Sequence, residues 1–279
     1  MRLGGGIVLP YQNPEEWISR VRELGYSAVG APVSADASKE EIDAYRDCAA
    51  RNDIVIGEVG VWKNTLSLDD AERKAATDYA KVQLDLAERL RANCCVNITG
   101  ARGPIWDAYY QDNYSDDTYA LIVDSVREII DAVQPRHTFY TLEPMPWMHP
   151  DSPEGYLQLV KDIDRPAFAV HLDFANMING MNRFIHASDF IRQCFDLLGP
   201  HIKSIHAKDV ALAPDALPCC LRECAPGKGS LDFRPVLRLA QSLGDETTVF
   251  IEHLGTHEEY AEAAAFMRAE AAAAGVPVK

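Results

Sequence analysis

Three features that would define other classes of protein are missing from this sequence. No apolar run approaches the ~20 residues that a helix needs to cross a bilayer. The amino terminus MRLGGGIVLP lacks the apolar core of a signal peptide. Basic residues are scarce, since 27 lysines and arginines stand against 42 aspartates and glutamates, for a net charge of −15. Such an acidic surface repels phosphate backbones. We therefore expect a soluble cytoplasmic protein that binds neither membranes nor nucleic acid.

Cysteine is present, but not in a pattern that indicates disulfide bonds or a zinc site. The chain has seven cysteines, an odd number, and contains no CxxC pair. Cys94 and Cys95 lie in an apolar run and are expected to be packed thiols. The cluster of Cys219, Cys220 and Cys224 lacks a second pair of ligands, so we interpret these residues as loop thiols.

Predicted strands and helices alternate along the whole chain. Hydrophobic residues make up 47% of the 279 residues, which is enough for a sizeable core. Helical patterns begin at capping residues such as Ser38, Ser152 and Thr256. The predicted strands between them are GGIVLP, YSAVGAPV, IVIGEVGVW, CCVNITG, HTFYTLEP, AFAVHLDF, IKSIHAKDV and TVFIEHL.

This alternation predicts α/β architecture, a single (β/α)8 TIM barrel over residues 1–279. A barrel of this kind needs ~250 residues, and no linker or internal repeat divides the chain. An open doubly wound sheet is the alternative, although no GxGxxG motif follows the first strand, which argues against a dinucleotide-binding version. Segment 211–230 follows the seventh strand, at the face where barrel active sites lie, and is expected to be a lid or a disordered loop.

Four predicted strands end in or near a residue that can bind a metal ion. Because the carboxyl ends of barrel strands meet at one rim, we expect these four side chains to converge. Three carboxylates and one imidazole suit Mn²⁺, with Co²⁺ or Mg²⁺ as alternatives. Any one of these residues alone is better explained as a helix cap or an ion pair, but the set favours one divalent ion. The residues are Glu143, Asp173, His206 and Glu252.

Strand alternation brings further polar side chains to the same rim. His171 lies two positions before Asp173, and Lys208 lies two positions after His206, so each pair should share a face. Lys208 can bind an oxygen or phosphate of a substrate, or pair with a ligand carboxylate. His253 comes directly after a ligand and is expected to point towards the helices as a packed side chain.

The order and spacing of these four segments resemble those of the xylose isomerase-like superfamily of TIM barrels, and within it the sugar-phosphate isomerase/epimerase group. The resemblance implies one divalent metal ion held by Glu143, Asp173, His206 and Glu252. It also implies that Glu143 and Glu252 act as acid/base catalysts on either side of the substrate. The implied reaction is isomerisation or epimerisation of a sugar or sugar phosphate, by proton abstraction next to a ketone through a metal-stabilised enediolate. The implied partner is a carbohydrate or polyol ketone, and barrels of this group frequently form homo-oligomers.

Two positions depart from the pattern of the ketose 3-epimerases in this group. Asn176 stands where these epimerases often carry a histidine, three residues after the ligand aspartate. An asparagine can bind a sugar hydroxyl but cannot shuttle a proton. Pro144, Pro146 and Trp147 stand where a further glutamate usually follows the ligand of strand five. These departures weaken the 3-epimerase assignment more than they weaken the metal site.

Other residues are candidates for substrate contact, each with a structural alternative. Arg222 lies where related enzymes often place a substrate-binding arginine, or it is a solvated loop charge. Glu58 can contact a hydroxyl group or form an ion pair behind the site. His171 is either a support for a ligand carboxylate or a core histidine. Trp62 and Trp147 can line the pocket against a sugar ring, or they simply pack.

Three other functions fit parts of the pattern. Inosose dehydratases, which are lyases, share the fold and metal set and begin with the same proton abstraction before they expel a hydroxyl group. Apurinic endonucleases share the barrel but need several metal ions and a histidine-rich mouth, whereas strands one to four here contain no histidine. A binding module without catalysis is the remaining alternative, and the retained glutamates argue against it.

Overall fold

The computed structural model describes residues 1–279 as a closed barrel of eight parallel strands with helices outside it. Consecutive barrel strands pair in parallel, and the first strand closes the barrel against the last. The predicted (β/α)8 barrel is therefore confirmed. The barrel strands are β1 (Arg2–Gly5), β2 (Ala28–Gly30), β3 (Val55–Gly60), β4 (Cys94–Asn97), β5 (Phe139–Leu142), β6 (Phe168–Asp173), β7 (Ile202–Ala207) and β10 (Thr248–Ile251).

The helices begin where capping side chains satisfy free backbone N–H groups. The Ser152 hydroxyl accepts from the Gly155 N–H, and Thr256 forms a capping box with Glu259, as predicted. None of the helices combines the length and the hydropathy needed to cross a membrane. The helices are α1 (Pro14–Glu23), α2 (Lys39–Arg51), α3 (Asp70–Leu90), α4 (Asp116–Val133), α5 (Pro153–Ile163), α6 (Phe174–Met177), α7 (Met181–Ile185), α8 (Ala187–Leu198), α9 (Phe233–Ser242) and α10 (His257–Ala274).

The first strand lies earlier in the chain than the apolar pattern predicts. The prediction centred the strand on the run Ile7–Leu9, but β1 ends at Gly5 and the Val8 side chain is exposed. A side chain at Gly4 would collide with the carbonyl oxygen of Ala28 on the neighbouring strand. The glycines therefore belong to the paired strand, because they allow the close approach of its neighbours.

Segment 211–230 contains an ordered antiparallel hairpin and is not a disordered loop. Strand β8 (Asp209–Leu212) pairs with β9 (Leu221–Cys224) directly after the seventh barrel strand. The buried Asp209 carboxylate accepts hydrogen bonds from the N–H groups of Gly227, Gly229 and Leu231, which anchors the base of the hairpin. The three cysteines of this region are free, and Cys94 and Cys95 are buried, as expected.

One buried hydroxyl group joins the two strands that carry the first predicted ligands. Tyr156 of α5 is fully buried, and its hydroxyl donates to the carbonyl of Leu142 on β5 at 2.6 Å. The same oxygen accepts from the N–H groups of Leu142 and His171, each at 3.1 Å. Tyr156 therefore fixes the carboxyl ends of β5 and β6 relative to each other.

Replacement of this hydroxyl group should destabilise the barrel. In Tyr156→Phe, buried backbone groups of Leu142 and His171 lose their partner, and we expect the free energy of unfolding to fall by about 1–3 kcal/mol. Urea unfolding followed by circular dichroism measures this change. Tyr114→Phe is the matched control, because its exposed hydroxyl bonds only the Asp151 side chain. Equal midpoints for wild type and Tyr156→Phe would contradict the assigned role.

Candidate metal centre

The carboxyl ends of four neighbouring barrel strands carry the four predicted ligands. Glu143 follows β5, Asp173 ends β6, His206 lies in β7 and Glu252 follows β10. Asp173 and His206 are direct partners in the register of β6 and β7. One ligand atom from each of the four side chains lies within 4.8 Å of the others. The structure thus brings together residues that are far apart in sequence.

The donor atoms at this centre are buried, and their close contacts are with one another and with Lys208. His206 Nδ1 lies 2.8 Å from Glu252 Oε1 and 3.4 Å from Glu143 Oε1. His206 Nδ1, Glu252 Oε1 and Asp173 Oδ2 make no hydrogen bond of normal geometry. Buried polar atoms without partners are rare in folded proteins. Converging carboxylate oxygens and an imidazole nitrogen in this state fit the ligand preferences of a divalent ion such as Mn²⁺ or Mg²⁺.

The ammonium group of Lys208 lies among these carboxylates. Its Nζ is 2.5 Å from Glu252 Oε1, 2.7 Å from Asp173 Oδ2 and 3.4 Å from Glu143 Oε1, within ion-pair distance of each. Although burial would lower the pKa of Lys208, the carboxylates of Asp173, Glu252 and Glu143 raise it well above its usual range. Lys208 therefore supplies positive charge at the centre.

Asp173 and Glu252 are held in their ionised forms. Burial would raise the pKa of Asp173, but Lys208 and His206 lower it well below its usual range. Burial would also raise the pKa of Glu252, but His206 and, to a lesser extent, Lys208 outweigh this effect and lower that pKa. For His206, burial lowers the pKa, whereas Glu252 and Glu58 raise it well above the ordinary value. Because a metal ion binds the neutral imidazole, it would displace the proton from Nδ1.

Glu58 and His171 lie beneath the centre and do not line the cavity above it. Glu58 Oε2 is 3.1 Å from His206 Nε2, and Glu58 Oε1 is 3.0 Å from His171 Nε2. Ser204 also donates its hydroxyl to Glu58 Oε1. These three residues with His206 form a hydrogen-bonded network, in which His171 Nδ1 lacks a hydrogen-bond partner. With Nε2–H donated to Glu58, loss of the Nδ1 proton would leave the lone pair of His206 on Nδ1, which faces the carboxylates.

A cavity of about 950 Å³ leads to the centre from the carboxyl-terminal face. Glu143 and Lys208 are its most buried charged lining residues. Asn176 lies beside them, and its Nδ2 donates to Glu143 Oε1 at 3.0 Å. The remaining predicted contact residues that line the cavity are Trp62, Trp147 and Arg222.

The sequence did not reveal two charged residues at the cavity wall. Glu223 of β9 lies 2.9 Å from His253 Nδ1 and 3.5 Å from Lys208 Nζ. The prediction that His253 packs against the helices is wrong, because more than half of its side chain is exposed and it lines the cavity. Strand β10 ends at Ile251, and the φ of +57° at His253 breaks the strand alternation on which the prediction rested.

The structure defines a TIM barrel with a cluster of acidic side chains and one histidine at its carboxyl-terminal rim. Residues 18–270 match the family model described as Xylose isomerase-like TIM barrel. The chain belongs to the xylose isomerase-like TIM barrel family, as its sequence motifs indicated. The Uncharacterized protein YihM of Escherichia coli K12 is 26% identical over 182 residues, which cover 65% of this chain and 50% of that protein. The match thus spans about half the length of this curated relative.

Solved structures resemble the chain over nearly its whole length. D-psicose 3-epimerase from Clostridium cellulolyticum H10, solved with D-tagatose, has a TM-score of 0.67 and 17% identity, with 96% of this chain and 99% of that chain covered. A xylose isomerase-like TIM barrel protein from Mycobacterium smegmatis, in complex with magnesium, has a TM-score of 0.66 and 19% identity, with 97% of this chain and 92% of that chain covered. The probable 3-DHS dehydratase AsbF from Bacillus anthracis has a TM-score of 0.69 and 15% identity, with 93% of each chain covered. At these identities, the likeness shows the fold alone.

The contact between Glu58 and His206 should control metal affinity. In Glu58→Gln, the amide can donate to His206 Nε2 and so favours the tautomer that carries its proton on Nδ1. We expect Mn²⁺ to bind about 10–100-fold more weakly, as measured by isothermal titration calorimetry. The control is Glu88→Gln, since Glu88 accepts from backbone N–H groups at the start of β5, at the opposite end of the barrel. An unchanged affinity in Glu58→Gln would reject this positioning role.

Lys208 and a metal ion should compete for the same carboxylates. In Lys208→Met, buried carboxylates lose their cation, so we expect the metal-free protein to lose about 3–5 kcal/mol of unfolding free energy. Mn²⁺ should then stabilise the variant more than it stabilises the wild type. Urea unfolding with and without Mn²⁺ measures both effects. Lys228→Met is the control, because Lys228 pairs with Glu262 on the surface. Equal Mn²⁺ stabilisation in Lys208→Met and wild type would show that no competition exists.

Proposed function

We propose that this protein is a divalent-metal-dependent isomerase or epimerase that acts on a keto sugar or a related polyol ketone. The convergence of buried Asp173, His206 and Glu252 atoms at the closed end of a cavity carries the proposal. The epimerase among the similar structures supports it at the level of fold. Chemistry at a carbon next to a ketone needs a base, an acid and a source of positive charge, and this rim offers all three.

The ion would be held by Glu143, Asp173, His206 through Nδ1, and Glu252. Mn²⁺ is the first candidate, with Co²⁺ and Mg²⁺ as alternatives, since oxygen ligands dominate the set. The magnesium complex of the Mycobacterium smegmatis protein supports an ion of this kind. When bound, the ion supplies Lewis acidity that makes the hydrogen next to the ketone of the substrate easier to remove.

Glu143 and Glu252 would carry out the proton transfers. One carboxylate accepts the proton from the carbon next to the ketone while the C–H electron pair moves towards the carbonyl oxygen. The other glutamate, in its protonated form, returns a proton to the opposite face to give an epimer, or to the adjacent carbon to give an isomer. Lys208 lies at the same buried end and would place its ammonium near the oxygen on which negative charge develops.

The other cavity residues would hold the substrate. Asn176 has its amide nitrogen bonded to Glu143, and its Oδ1 accepts from Lys208 Nζ at 3.3 Å, so it would fix both groups and meet a sugar hydroxyl. Arg222 on the hairpin can donate to further hydroxyl groups. Trp62 and Trp147 offer apolar faces to a sugar ring. Glu58 and His171 would act on the substrate only through His206.

A lyase of the dehydratase type is the second candidate. It shares the first proton abstraction and then expels the hydroxyl group at the β-carbon, which requires a proton donor that an epimerase does not need. The buried ammonium of Lys208 could protonate this leaving group. The dehydratase among the similar structures supports this reading at the level of fold. Mass analysis of the product separates the two candidates, because only the lyase product has lost water.

Loss of either glutamate should stop hydrogen exchange between substrate and solvent. We expect Glu143→Gln and Glu252→Gln to slow deuterium incorporation from D₂O by about 10²–10⁴-fold, because each removes one proton carrier. The Mn²⁺-loaded proteins are incubated with a panel of ketoses and inososes, and NMR identifies the deuterated carbon. A variant that keeps the wild-type exchange rate has no acid/base role.

Three controls separate proton transfer from loss of structure or metal. Glu128→Gln alters a surface pair with Lys81 and should keep the wild-type rate. Metal content is measured for every variant, because Glu143 and Glu252 would also be ligands. Wild type that has been treated with a chelator should lose exchange and regain it with Mn²⁺. Full activity of metal-free wild type would reject the proposed function.

A further inference from the structure

The cavity is larger and more apolar than a single sugar requires. Its volume of about 950 Å³ lies at the upper end of the ~300–1,000 Å³ that hold drug-sized ligands. A free ketohexose is much smaller than such a ligand and is polar on every carbon. Of the 22 lining residues, 12 are hydrophobic. The proton-transfer groups Glu143 and Lys208 occupy only the buried end, so the rest of the space must accommodate something else.

Trp62 forms an exposed aromatic surface that the chain holds in a strained conformation. It lines the cavity with 42% of its surface exposed, and its φ is +52°, in the left-handed region that disfavours side chains. A side chain at Gly60 would overlap the indole nitrogen of Trp62, so the glycine at the end of β3 is what permits this orientation. Strain that keeps a tryptophan exposed at a cavity indicates a binding surface and not core packing.

Trp147 provides a second aromatic surface in the same cavity, and it is fixed by hydrogen bonds. Its Nε1 donates to the carbonyl of Asp107 at 2.7 Å, and its own carbonyl accepts from Asn113 Nδ2 at 3.3 Å. The ring is nevertheless 39% exposed and lines the cavity. Because its polar nitrogen already has a partner, the ring offers an apolar face to a ligand.

The charges around the cavity disfavour a phosphorylated substrate. Its cationic lining residues are Lys208, Arg222 and His253, of which Lys208 is already paired with Asp173 and Glu252, and His253 with Glu223. Asp107, Glu143 and Glu223 place negative charge in the same lining. A phosphate group would need several free donors or cations to replace its water. An uncharged substituent meets no such penalty.

We propose that the substrate is an uncharged keto sugar that carries a second ring, as in a keto-glycoside. The ketone-bearing ring would lie against Glu143, Asn176 and Lys208, and the second ring would stack on Trp62 and Trp147. In a glycoside the anomeric carbon is blocked, so the ketone must lie on another carbon of the ring. This inference rests on the proposed function for the reaction, but its binding component can be measured separately.

The test compares one-ring and two-ring compounds on Mn²⁺-loaded protein. Deuterium exchange is followed with D-psicose, D-fructose 6-phosphate, phenyl 3-keto-glucoside and 3-keto-maltose. We expect kcat/KM for a two-ring compound to exceed that for either one-ring compound by at least about tenfold. Trp62→Ala should remove this advantage through a higher KM at unchanged kcat, whereas Trp62→Phe should retain most of it. Phenyl 3-keto-glucoside and 3-keto-maltose distinguish an aromatic second ring from a sugar.

A control variant and a binding measurement make the outcomes separable. Tyr109→Ala removes an exposed aromatic side chain outside the cavity lining and should change nothing. Calorimetric binding of phenyl glucoside and maltose, which lack a ketone, reports the second-ring site without turnover. The inference is overturned if deuterium exchange is faster with D-psicose or D-fructose 6-phosphate than with the two-ring compounds. It is also overturned if Trp62→Ala slows exchange by the same factor for every substrate. Both results leave the proposed function standing. If the glycosides bind in a way that depends on Trp62 but no deuterium exchange occurs, the second-ring site is retained and the proposed function is rejected. If neither binding nor exchange occurs, the site and the function are both rejected.

Discussion

The concentration of negative charge at the carboxyl-terminal rim of the barrel determines how the other side chains of the site are arranged. Glu143, Asp173 and Glu252 hold their carboxylates close together where little water reaches them. Charges that are removed from water cost several kcal/mol each unless an opposite charge lies close by. Both cationic groups within reach, His206 and Lys208, therefore point at the same oxygens. The folded rim therefore needs positive charge, which His206 and Lys208 supply in this structure and which a bound divalent ion would also supply.

Lys208 and a bound divalent ion would be alternative sources of positive charge, so the site would have a metal-free and a metal-bound state. In the metal-free arrangement, Lys208 neutralises Asp173 and Glu252 directly. An ion bound by the same oxygens would take over that task and release the ammonium for a substrate oxygen. His206 changes with it, because its Nδ1 proton must leave while Glu58 continues to hold Nε2. The network beneath the rim would thus stay constant while the charge above it changes, and Glu58 and His171 would support a bound ion although neither reaches the cavity.

The sequence predicted those parts of the site that depend on local pattern. The convergence of the four candidate ligands could be predicted because each lies at or near the end of a recognisable buried strand, and strand ends in a barrel meet at one rim. The sequence pattern did not predict how deep in the barrel each side chain lies. His171 shares a face with Asp173, but two positions along a strand place it about 6–7 Å deeper, where it contacts Glu58. Glu223 and His253 were missed because their contact depends on a hairpin and on a left-handed residue after β10. Contacts of that kind arise from tertiary packing, which a periodic pattern does not encode.

Barrel strands and loops contribute different kinds of information about function. The strands place charged groups at the closed end of the cavity, and these groups determine which bond can be attacked. The walls come from the segments after β3, β4, β5 and β6 and from the β8–β9 hairpin, and these segments determine what fits. The departures from the 3-epimerase pattern at Asn176 and Pro146 lie in this wall, as do Trp62 and Trp147. A barrel can therefore keep the chemistry of its family while it accepts a different substrate, because the two properties reside in segments that vary independently.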